Sequence, residues 1–289
     1  MREFYLNIRG LQLCLCAWGP EAGPLVLCLH GILEHGAAWE GVATGLANMG
    51  YRVVAPDQRG HGRSQHAGMG SSYQLLDYLG DVDAIARQLT HEPFTLVGHS
   101  IGSAIAATFA AARPEQVETL VLIEPVLPAE GNDHEAAQQL ATHLNYLVSP
   151  PKHPVFADLK TAAARLRQKT PSMSEEFALK TARRLTESCE GGLCWRWDCW
   201  LQIRTGIGFS GTAFSRARYV KLLHQIQAPI ALLYGDSSDF NKPEDLALQQ
   251  ASMPQAKRFV LSGGHNLPID APDALAAIIA EAAARKLLT

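Results

Sequence analysis

The sequence predicts an α/β fold with one mostly parallel central sheet, and three observations favour it. Short apolar runs recur along the chain, at residues 25–30, 51–55, 94–97, 119–123 and 230–234. Helical stretches lie between them, and strands that alternate with helices form parallel sheets covered on both faces. The chain has 289 residues, of which 47% are hydrophobic and 18% charged. That is enough to bury a large core in one or two domains.

Turn, capping and helix-stop residues predict the remaining strands and helices of the core. Residues 4–18 alternate as two short strands with a turn at Arg9-Gly10, because period-two alternation places one face of a strand against the core. Capping and stop signals predict three core helices: one that runs through residues 78–89 behind a cap at Ser71 or Ser72, an Ala-rich one at residues 101–112, and a last one from Pro272 to about Leu287.

The alternation of strands and helices is interrupted after Pro128. Three amphipathic helices without intervening strands are predicted at residues 134–147, 155–168 and 174–187. The strand pattern resumes at Ile230, so the helical part is an insertion within one domain. We therefore predict an α/β core made of residues 1–127 and 228–289, with a helical lid at residues 128–227.

Apolar side chains of the predicted lid indicate how it packs. Trp195, Trp197 and Trp200 are expected to pack the lid against the core. The stripe of Leu140, Leu144 and Leu147 is expected to pack within the lid. The same stripe also offers a surface through which a homodimer could form.

Charge and cysteine usage exclude several classes of function. The formal net charge is −3 and the isoelectric point is near 6.4, which argues against nucleic-acid and anionic-membrane partners. The six cysteines lack the spacing of a metal site and are expected to be reduced thiols. The N-terminus has no apolar targeting segment, and no apolar stretch is long enough to span a bilayer. We expect a cytoplasmic protein that needs no metal or cofactor.

The strongest chemical signal is the G-H-S-I-G motif at residues 98–102, between a predicted strand and a predicted helix. A serine at such a corner is pushed above the sheet by a strained turn, and the flanking glycines allow close backbone approach. We therefore expect Ser100 to be a nucleophile. The N-terminus of the following helix presents backbone N–H groups to a developing oxyanion.

Further motifs follow other predicted strands in a matching order. The N–H groups of Ile32, in the His30-Gly31-Ile32 segment, and of Ile101 are the expected oxyanion donors. Together with the D-x-R-G-x-G-x-S loop at residues 57–64 and the G-G-H-N segment at residues 263–266, these motifs resemble the α/β-hydrolase superfamily. That resemblance implies that His265 is the general base and that the loop at residues 57–64 is mainly structural.

Two carboxylates are candidates for the acid that orients His265. Asp239 follows the strand at residues 230–234, where most of the superfamily carries this acid. Glu124 ends the strand at residues 119–123, one strand earlier in the chain. Either residue preserves the chain order of serine, acid and histidine.

A closer resemblance bears on this choice. The opening strands, the segment at residues 30–39, Glu124-Pro125, the tryptophan- and arginine-rich end of the lid and Gly264-His265-Asn266 resemble the decarboxylating thioesterases of terminal-alkene-forming polyketide synthases, the curacin type. The resemblance implies a triad of Ser100, Glu124 and His265, with Arg204 and Asn266 contacting a sulfate on the substrate.

The same resemblance implies a reaction and a partner. An acyl carrier protein would deliver a β-sulfated acyl thioester on its phosphopantetheine arm, and hydrolysis would be followed by loss of carbon dioxide and sulfate to give a terminal alkene. An arginine suits the sulfate because its planar fork offers two parallel donors to an anion. The alternative is an ordinary esterase, thioesterase or carbon–carbon bond hydrolase of the same fold.

Overall fold

The computed structural model describes residues 1–68, 73–128, 136–149, 151–202 and 215–284. The described strands are β1 (Arg2–Ile8), β2 (Leu11–Trp18), β3 (Leu25–Leu29), β4 (Arg52–Pro56), β5 (Phe94–His99), β6 (Val117–Ile123), β7 (Thr186–Cys189), β8 (Gly192–Trp195), β9 (Ile230–Gly235) and β10 (Lys257–Leu261). The main sheet has eight strands in the order β1-β2-β4-β3-β5-β6-β9-β10, and a separate two-stranded sheet pairs β7 with β8.

The main sheet is mostly parallel, as predicted. Only β1 with β2 and β2 with β4 pair antiparallel, and every other neighbouring pair in this sheet is parallel. The turn between β1 and β2 has positive φ at Arg9 (51°) and Gly10 (86°). Because parallel strands end at the same edge, the loops after β3, β5, β6, β9 and β10 converge on one side of the sheet.

Helices cover both faces of this sheet. The described helices are α1 (Glu40–Asn48), α2 (Leu75–Leu89), α3 (Ile101–Ala112), α4 (Ala136–Val148), α5 (Leu159–Lys169), α6 (Glu175–Leu185), α7 (Arg216–Leu223), α8 (Pro243–Ser252), α9 (Leu267–Asp270) and α10 (Pro272–Ala283). Apolar residues of α1 and α10 pack in the cluster on one face of the sheet, and those of α2, α3, α7 and α8 pack in the cluster on the other face. Buried layers on both faces explain why the central strands are continuous apolar runs.

The N-terminal cap predicted for α2 is wrong. The helix begins at Leu75, and Gln74 stands at the cap position. The backbone N–H of Gln74 donates to the Asp77 carboxylate at 3.1 Å. Asp77 lies in the first turn of α2, so its side chain supplies the hydrogen-bond acceptor for the backbone that leads into the helix. Ser71 and Ser72 lie outside the described residues.

The segment between β6 and β9 carries α4, α5 and α6 at the positions where helices were predicted, and the described residues between them form no named strand. A two-stranded hairpin that was not predicted follows α6. Strands β7 and β8 form an antiparallel hairpin around Gly191 and Gly192, which have positive φ. The helical pattern ends at Leu185 because Thr186 adopts an extended conformation with φ −112° and ψ 157°. Four-residue strands are too short for their alternation to be recognised in the sequence.

Part of this segment has its own apolar core. Trp195 and Trp197 are buried there with Phe156, Met173 and Leu185, and Leu33 from the loop after β3 packs against them. Helix α7 behaves differently although it lies within the range predicted as lid. Its Tyr219 and Leu223 are buried in the cluster that covers the main sheet.

The apolar stripe of α4 does not pack as predicted. Leu140 is 53% exposed and Leu144 is 60% exposed, so these side chains lie at the surface of the described chain. The side chain of Leu147 lies outside what the structure describes. A 3.6-residue pattern identifies an apolar helix face but does not say which element covers it.

Buried charge pairs connect α6 to the core. The Arg184 guanidinium lies 3.2 Å from the Asp57 carboxylate and also pairs with Glu3. Since Arg184 is 9% exposed and Asp57 is fully buried, the pair is shielded from solvent and joins α6 to the loop after β4.

The six cysteines are free thiols, as expected, and Cys14, Cys16 and Cys28 are buried in the sheet. Burial raises the pKa of Cys14 to about 11 and that of Cys16 to about 12, so both behave as small apolar side chains. Among the described helices, none has the length and apolar character that a membrane crossing requires.

Candidate active site

Ser100 stands at a strained corner between β5 and α3. Its backbone has φ 53° and ψ −120°, a conformation that residues other than glycine rarely adopt. The corner is tight because a Cβ atom at Gly102 would collide with the backbone oxygens of Leu29 and His30. The Ser100 N–H donates to Ile123 O at 3.0 Å, which fixes the corner to the end of β6.

The structure brings Ser100, His265 and Glu124 into one hydrogen-bonded series. His265 Nε2 lies 3.0 Å from Ser100 Oγ, and His265 Nδ1 lies 3.0 Å from Glu124 Oε2. A carboxylate only accepts, so Nδ1 carries the proton and Nε2 of the neutral ring is free to accept the hydroxyl proton of Ser100. This is the arrangement that nucleophilic serine chemistry requires.

Glu124 is buried and held by donors from the loop after β9. Its Oε1 accepts the Gly235 N–H at 2.6 Å and the Asn241 amide at 3.1 Å, and its Oε2 accepts the Ser238 hydroxyl at 2.5 Å. Burial raises the pKa of Glu124, but the bonds from His265, Ser238, Gly235 and Asn241 outweigh burial, and the pKa is lowered. The carboxylate is therefore ionised at neutral pH.

Asp239, the alternative acid, is exposed in the same loop. Two other side chains of this loop, those of Ser238 and Asn241, hold Glu124. The loop also places the Phe240 ring against His265. The Phe240 ring stacks on the imidazole of His265, with centroids 3.9 Å apart and planes inclined by 23°. Asp239 and Phe240 are neighbours in the sequence, but the Asp239 carboxylate is solvated whereas the Phe240 ring contacts His265.

The predicted oxyanion donors lie on two backbone segments, the first turn of α3 and the loop after β3. The Ile101 N–H is in the first turn of α3, where backbone N–H groups have no intrahelical acceptor. The Ile32 N–H belongs to the same peptide as the Gly31 carbonyl, which accepts from His30 Nδ1 at 2.7 Å. His30 Nε2 accepts the Gln58 N–H at 3.0 Å. Burial lowers the pKa of His30 to about 4, so its ring stays neutral.

The loop at residues 57–64 does structural work. The Asp57 carboxylate accepts the Gly36 N–H at 2.6 Å and the Arg63 N–H at 2.8 Å. His61, from the same loop, packs edge-on against His30 with ring centroids 5.0 Å apart. His35 and His61 lie in loops, and both are almost fully buried.

Of the two residues predicted to contact a sulfate, the described ranges include only Asn266. Asn266 follows His265 and is half-buried, and its amide donates to Thr170 Oγ1 at 2.9 Å. It therefore lies where the end of α5 meets the loop after β10. Arg204 falls outside the described residues. Within the described ranges, no cluster of three or more histidine, cysteine or acidic side chains suits a metal ion.

Sequence reasoning missed several residues of the site. Ser238 and Asn241 touch Glu124, Phe240 stacks on His265, and His99 pairs with Glu34 beside them. One signal was available, because His99 belongs to the G-H-S-I-G motif. Contacts between residues 25 to 117 positions apart leave no periodicity in the sequence from which they could be read.

The comparison with protein families matches this architecture. Residues 24–272 match the model of the alpha/beta hydrolase fold. The chain belongs to the α/β-hydrolase fold family.

This α/β hydrolase is similar to several known proteins. It superimposes with a TM-score of 0.92 on the thioesterase domain from the curacin biosynthetic pathway, with 49% identity, over 97% of this chain and 99% of that one. A hypothetical protein from Pseudomonas aeruginosa PAO1 is 31% identical, with a TM-score of 0.86 and full coverage of both chains. A serine hydrolase-like protein of Danio rerio is 28% identical over 96% of this chain and 87% of its own length.

Proposed function

We propose that this α/β hydrolase is a serine thioesterase in which Ser100 is the nucleophile, His265 the general base and Glu124 the acid that orients it. The observation that carries the proposal is the continuous series of 3.0 Å contacts from Ser100 Oγ through His265 to Glu124. The strained backbone of Ser100 gives independent support, because such strain persists only where the surrounding structure enforces it.

In the first half of the reaction, Ser100 Oγ attacks the carbonyl carbon of an acyl thioester while His265 Nε2 takes the hydroxyl proton. The N–H groups of Ile32 and Ile101 stabilise the oxyanion. His265 then returns the proton to the departing thiolate. In the second half, His265 takes a proton from water, and the hydroxide attacks the acyl-enzyme. His265 returns that proton to Ser100 Oγ as the acid product leaves and ionises to a carboxylate.

The thioester substrate is proposed from the likeness to the curacin-pathway thioesterase domain, which covers nearly the whole of both chains. The substrate would be carried on the phosphopantetheine arm of an acyl carrier protein. Phe240, 59% exposed while stacked on His265, adds an apolar surface beside the reacting carbonyl. That surface suits an acyl chain more than a charged group.

The finer proposal is that the acyl chain carries a β-sulfate. Hydrolysis would then give a carboxylate next to a good leaving group. The bond between the carboxyl carbon and the α-carbon breaks, its electron pair forms the double bond, and sulfate leaves from the β-carbon with carbon dioxide as the other product. Asn266 at the junction of lid and base loop, and Arg204, would contact the sulfate.

The experiment is product analysis with matched substrates. A synthetic β-sulfated acyl thioester should give terminal alkene in the headspace, with equal amounts of carbon dioxide, sulfate and free thiol. The β-hydroxy analogue should give no alkene and at most slow thiol release. Equal thiol release from both substrates without alkene would exclude the decarboxylating function and leave an ordinary thioesterase.

A second measurement tests the serine chemistry without assuming a substrate. A fluorophosphonate should label the wild type at Ser100 and should not label Ser100→Ala. Labelling without turnover of any thioester would direct the search to oxygen esters or carbon–carbon bonds. A wild type that resists labelling would indicate a binding protein of the same fold.

A further inference from the structure

Buried His99 and half-buried Glu34 form a pair directly behind Ser100 that the proposed reaction does not use. His99 Nδ1 is 3.3 Å from Glu34 Oε2, and His99 Nε2 is 2.7 Å from the backbone oxygen of His265. The His99 side chain is 1% exposed and that of Glu34 is 24% exposed. The pair therefore occupies the space between the loop after β3, the corner after β5 and the loop after β10.

The partners of His99 define its charge. One ring nitrogen faces a carboxylate and the other faces a backbone carbonyl, and both of these groups only accept. Both contacts are satisfied together only when both nitrogens carry protons, that is, when the ring is an imidazolium. Burial opposes this charge, but Glu34 outweighs it and raises the pKa of His99, while the interaction with His99 lowers the pKa of Glu34 to about 2 against the effect of desolvation.

Each side chain of the pair forms a hydrogen bond with a backbone segment that carries a group of the proposed reaction. Glu34 Oε2 accepts the Gly31 N–H at 2.9 Å, and the next peptide carries the Ile32 N–H. A Cβ atom at Gly31 would lie 3.1 Å from both Glu34 Oε2 and His99 Nδ1, so the pair packs directly on this backbone. At the other end, His99 holds the carbonyl group of His265 and precedes Ser100 in the chain.

We propose that Glu34 and the protonated His99 act as one positioning unit, which sets the Gly31–Ile32 backbone and the loop of His265 at fixed places around Ser100. Neither side chain reaches the reacting atoms, so both are positioning residues. The proposal rests on the role of Ser100 as nucleophile and adds a requirement to it, namely that a second histidine near the base stays charged.

The requirement has a consequence at high pH. A neutral imidazole has only one N–H, so loss of the proton releases either Glu34 or the His265 carbonyl group. An ordinary serine hydrolase becomes faster as its base loses a proton and then reaches a plateau. Here the rate should fall again once His99 is deprotonated. The titratable groups that face the His99 ring are Glu34, Glu124, His265 and His30.

The first test measures His99 directly and needs no activity. Nitrogen-15 NMR of histidine-labelled protein distinguishes an imidazolium from either neutral tautomer, and His99→Gln identifies the signal by its loss. At pH 7.5 the wild type should show both His99 ring nitrogens protonated. Glu34→Gln should convert this signal to that of a neutral ring. A neutral His99 ring in the wild type would overturn the proposal, whether or not the variant folds.

The second test is the pH profile of fluorophosphonate labelling of Ser100. The wild-type rate constant should rise, level off and then fall at alkaline pH. In Glu34→Gln it should be about 10- to 100-fold lower near pH 7.5, because an oxyanion donor is displaced though not removed, and the alkaline fall should be absent. Circular dichroism at each pH keeps unfolding separate from loss of rate.

Asp81→Asn is the matched control. Asp81 makes a buried two-bond pair with Arg59 at 2.6 Å, away from Ser100. Its loss should lower stability and leave both the His99 signal and the shape of the profile unchanged. Identical plateaus in the wild type and Glu34→Gln would overturn the positioning role. A wild type that is not labelled at any pH would instead refute the proposed nucleophile, while the NMR measurement would still decide the charge of the pair.

Discussion

Glu124 and His265 lie 141 positions apart, and their side chains meet at 3.0 Å across the end of strand β9. Glu124 follows β6, and His265 follows β10, so β9 separates the two strands that carry them. The carboxylate passes over the end of β9 and accepts the Gly235 N–H there. A glutamate suits this path because its side chain is one methylene longer than that of an aspartate.

The two candidate acids can be separated by isosteric substitutions. Glu124→Gln should slow labelling of Ser100 by about 10³- to 10⁴-fold, because an amide can donate to Nδ1 and favour the wrong tautomer of His265. Asp239→Asn should change the rate less than about twofold. Second-order rate constants of fluorophosphonate labelling measure both. The opposite ranking would return the acid to the loop after β9.

The side chains that hold Glu124 should contribute to rate without being essential. Ser238→Ala or Asn241→Ala removes one donor to the carboxylate, and a charge-assisted hydrogen bond contributes about 1.5–3 kcal/mol. We expect about a tenfold lower rate of labelling for each. Ser237→Ala is the control, because this neighbouring side chain is exposed. If all three variants react alike, the donors do not position the acid.

The stack of Phe240 on His265 should stabilise the imidazolium that forms during acylation. A cation over an aromatic face gains about 0.5–2 kcal/mol, so Phe240→Leu should lower the acylation rate about 2- to 30-fold. Phe240→Tyr keeps the ring and should retain the rate. Thermal unfolding should change little in Phe240→Leu, because the side chain is 59% exposed. Equal rates for Leu and Tyr would show that the aromatic face plays no part.

Three buried histidines should make the fold sensitive to acid. Burial lowers the pKa of His30 to about 4 and that of His35 and His61 to about 3. Each ring stays neutral in the folded chain but binds a proton in the unfolded chain below about pH 6.5. Their contribution to stability is complete above that pH and is lost as the pH falls toward 4. Each histidine adds about 1.4 kcal/mol per pH unit to the slope of the unfolding free energy against pH in this range.

His35 allows this to be measured, because neither of its ring nitrogens has a hydrogen-bond partner. His35→Leu should reduce the slope of unfolding free energy against pH by about 1.4 kcal/mol per unit between pH 6 and 4, as determined by urea titration. His91→Gln, at an exposed site, should leave the slope unchanged. An unaltered slope in His35→Leu would contradict a neutral buried His35.

The fold could be predicted because its signals are local. Apolar runs marked the strands, Ala-rich and capped stretches marked the helices, and the corner at Ser100 lay between the two. The prediction failed for the hairpin of β7 and β8 and for the start of α2, where short elements or a different capping residue carried a weak signal. It also failed for the exposed stripe on α4, because an apolar helix face does not name what covers it.

By itself the sequence determined the class of fold, the nucleophile motif and the order of the strands along the chain. It left two carboxylates as alternatives, because both follow parallel strands and both precede His265. Only the tertiary structure decided which one touches the base, since that depends on the position of each strand in the sheet and on the reach of each side chain. The Glu34–His99 pair and the stacked Phe240 depend on the tertiary structure for the same reason, because packing joins loops that local sequence patterns cannot relate.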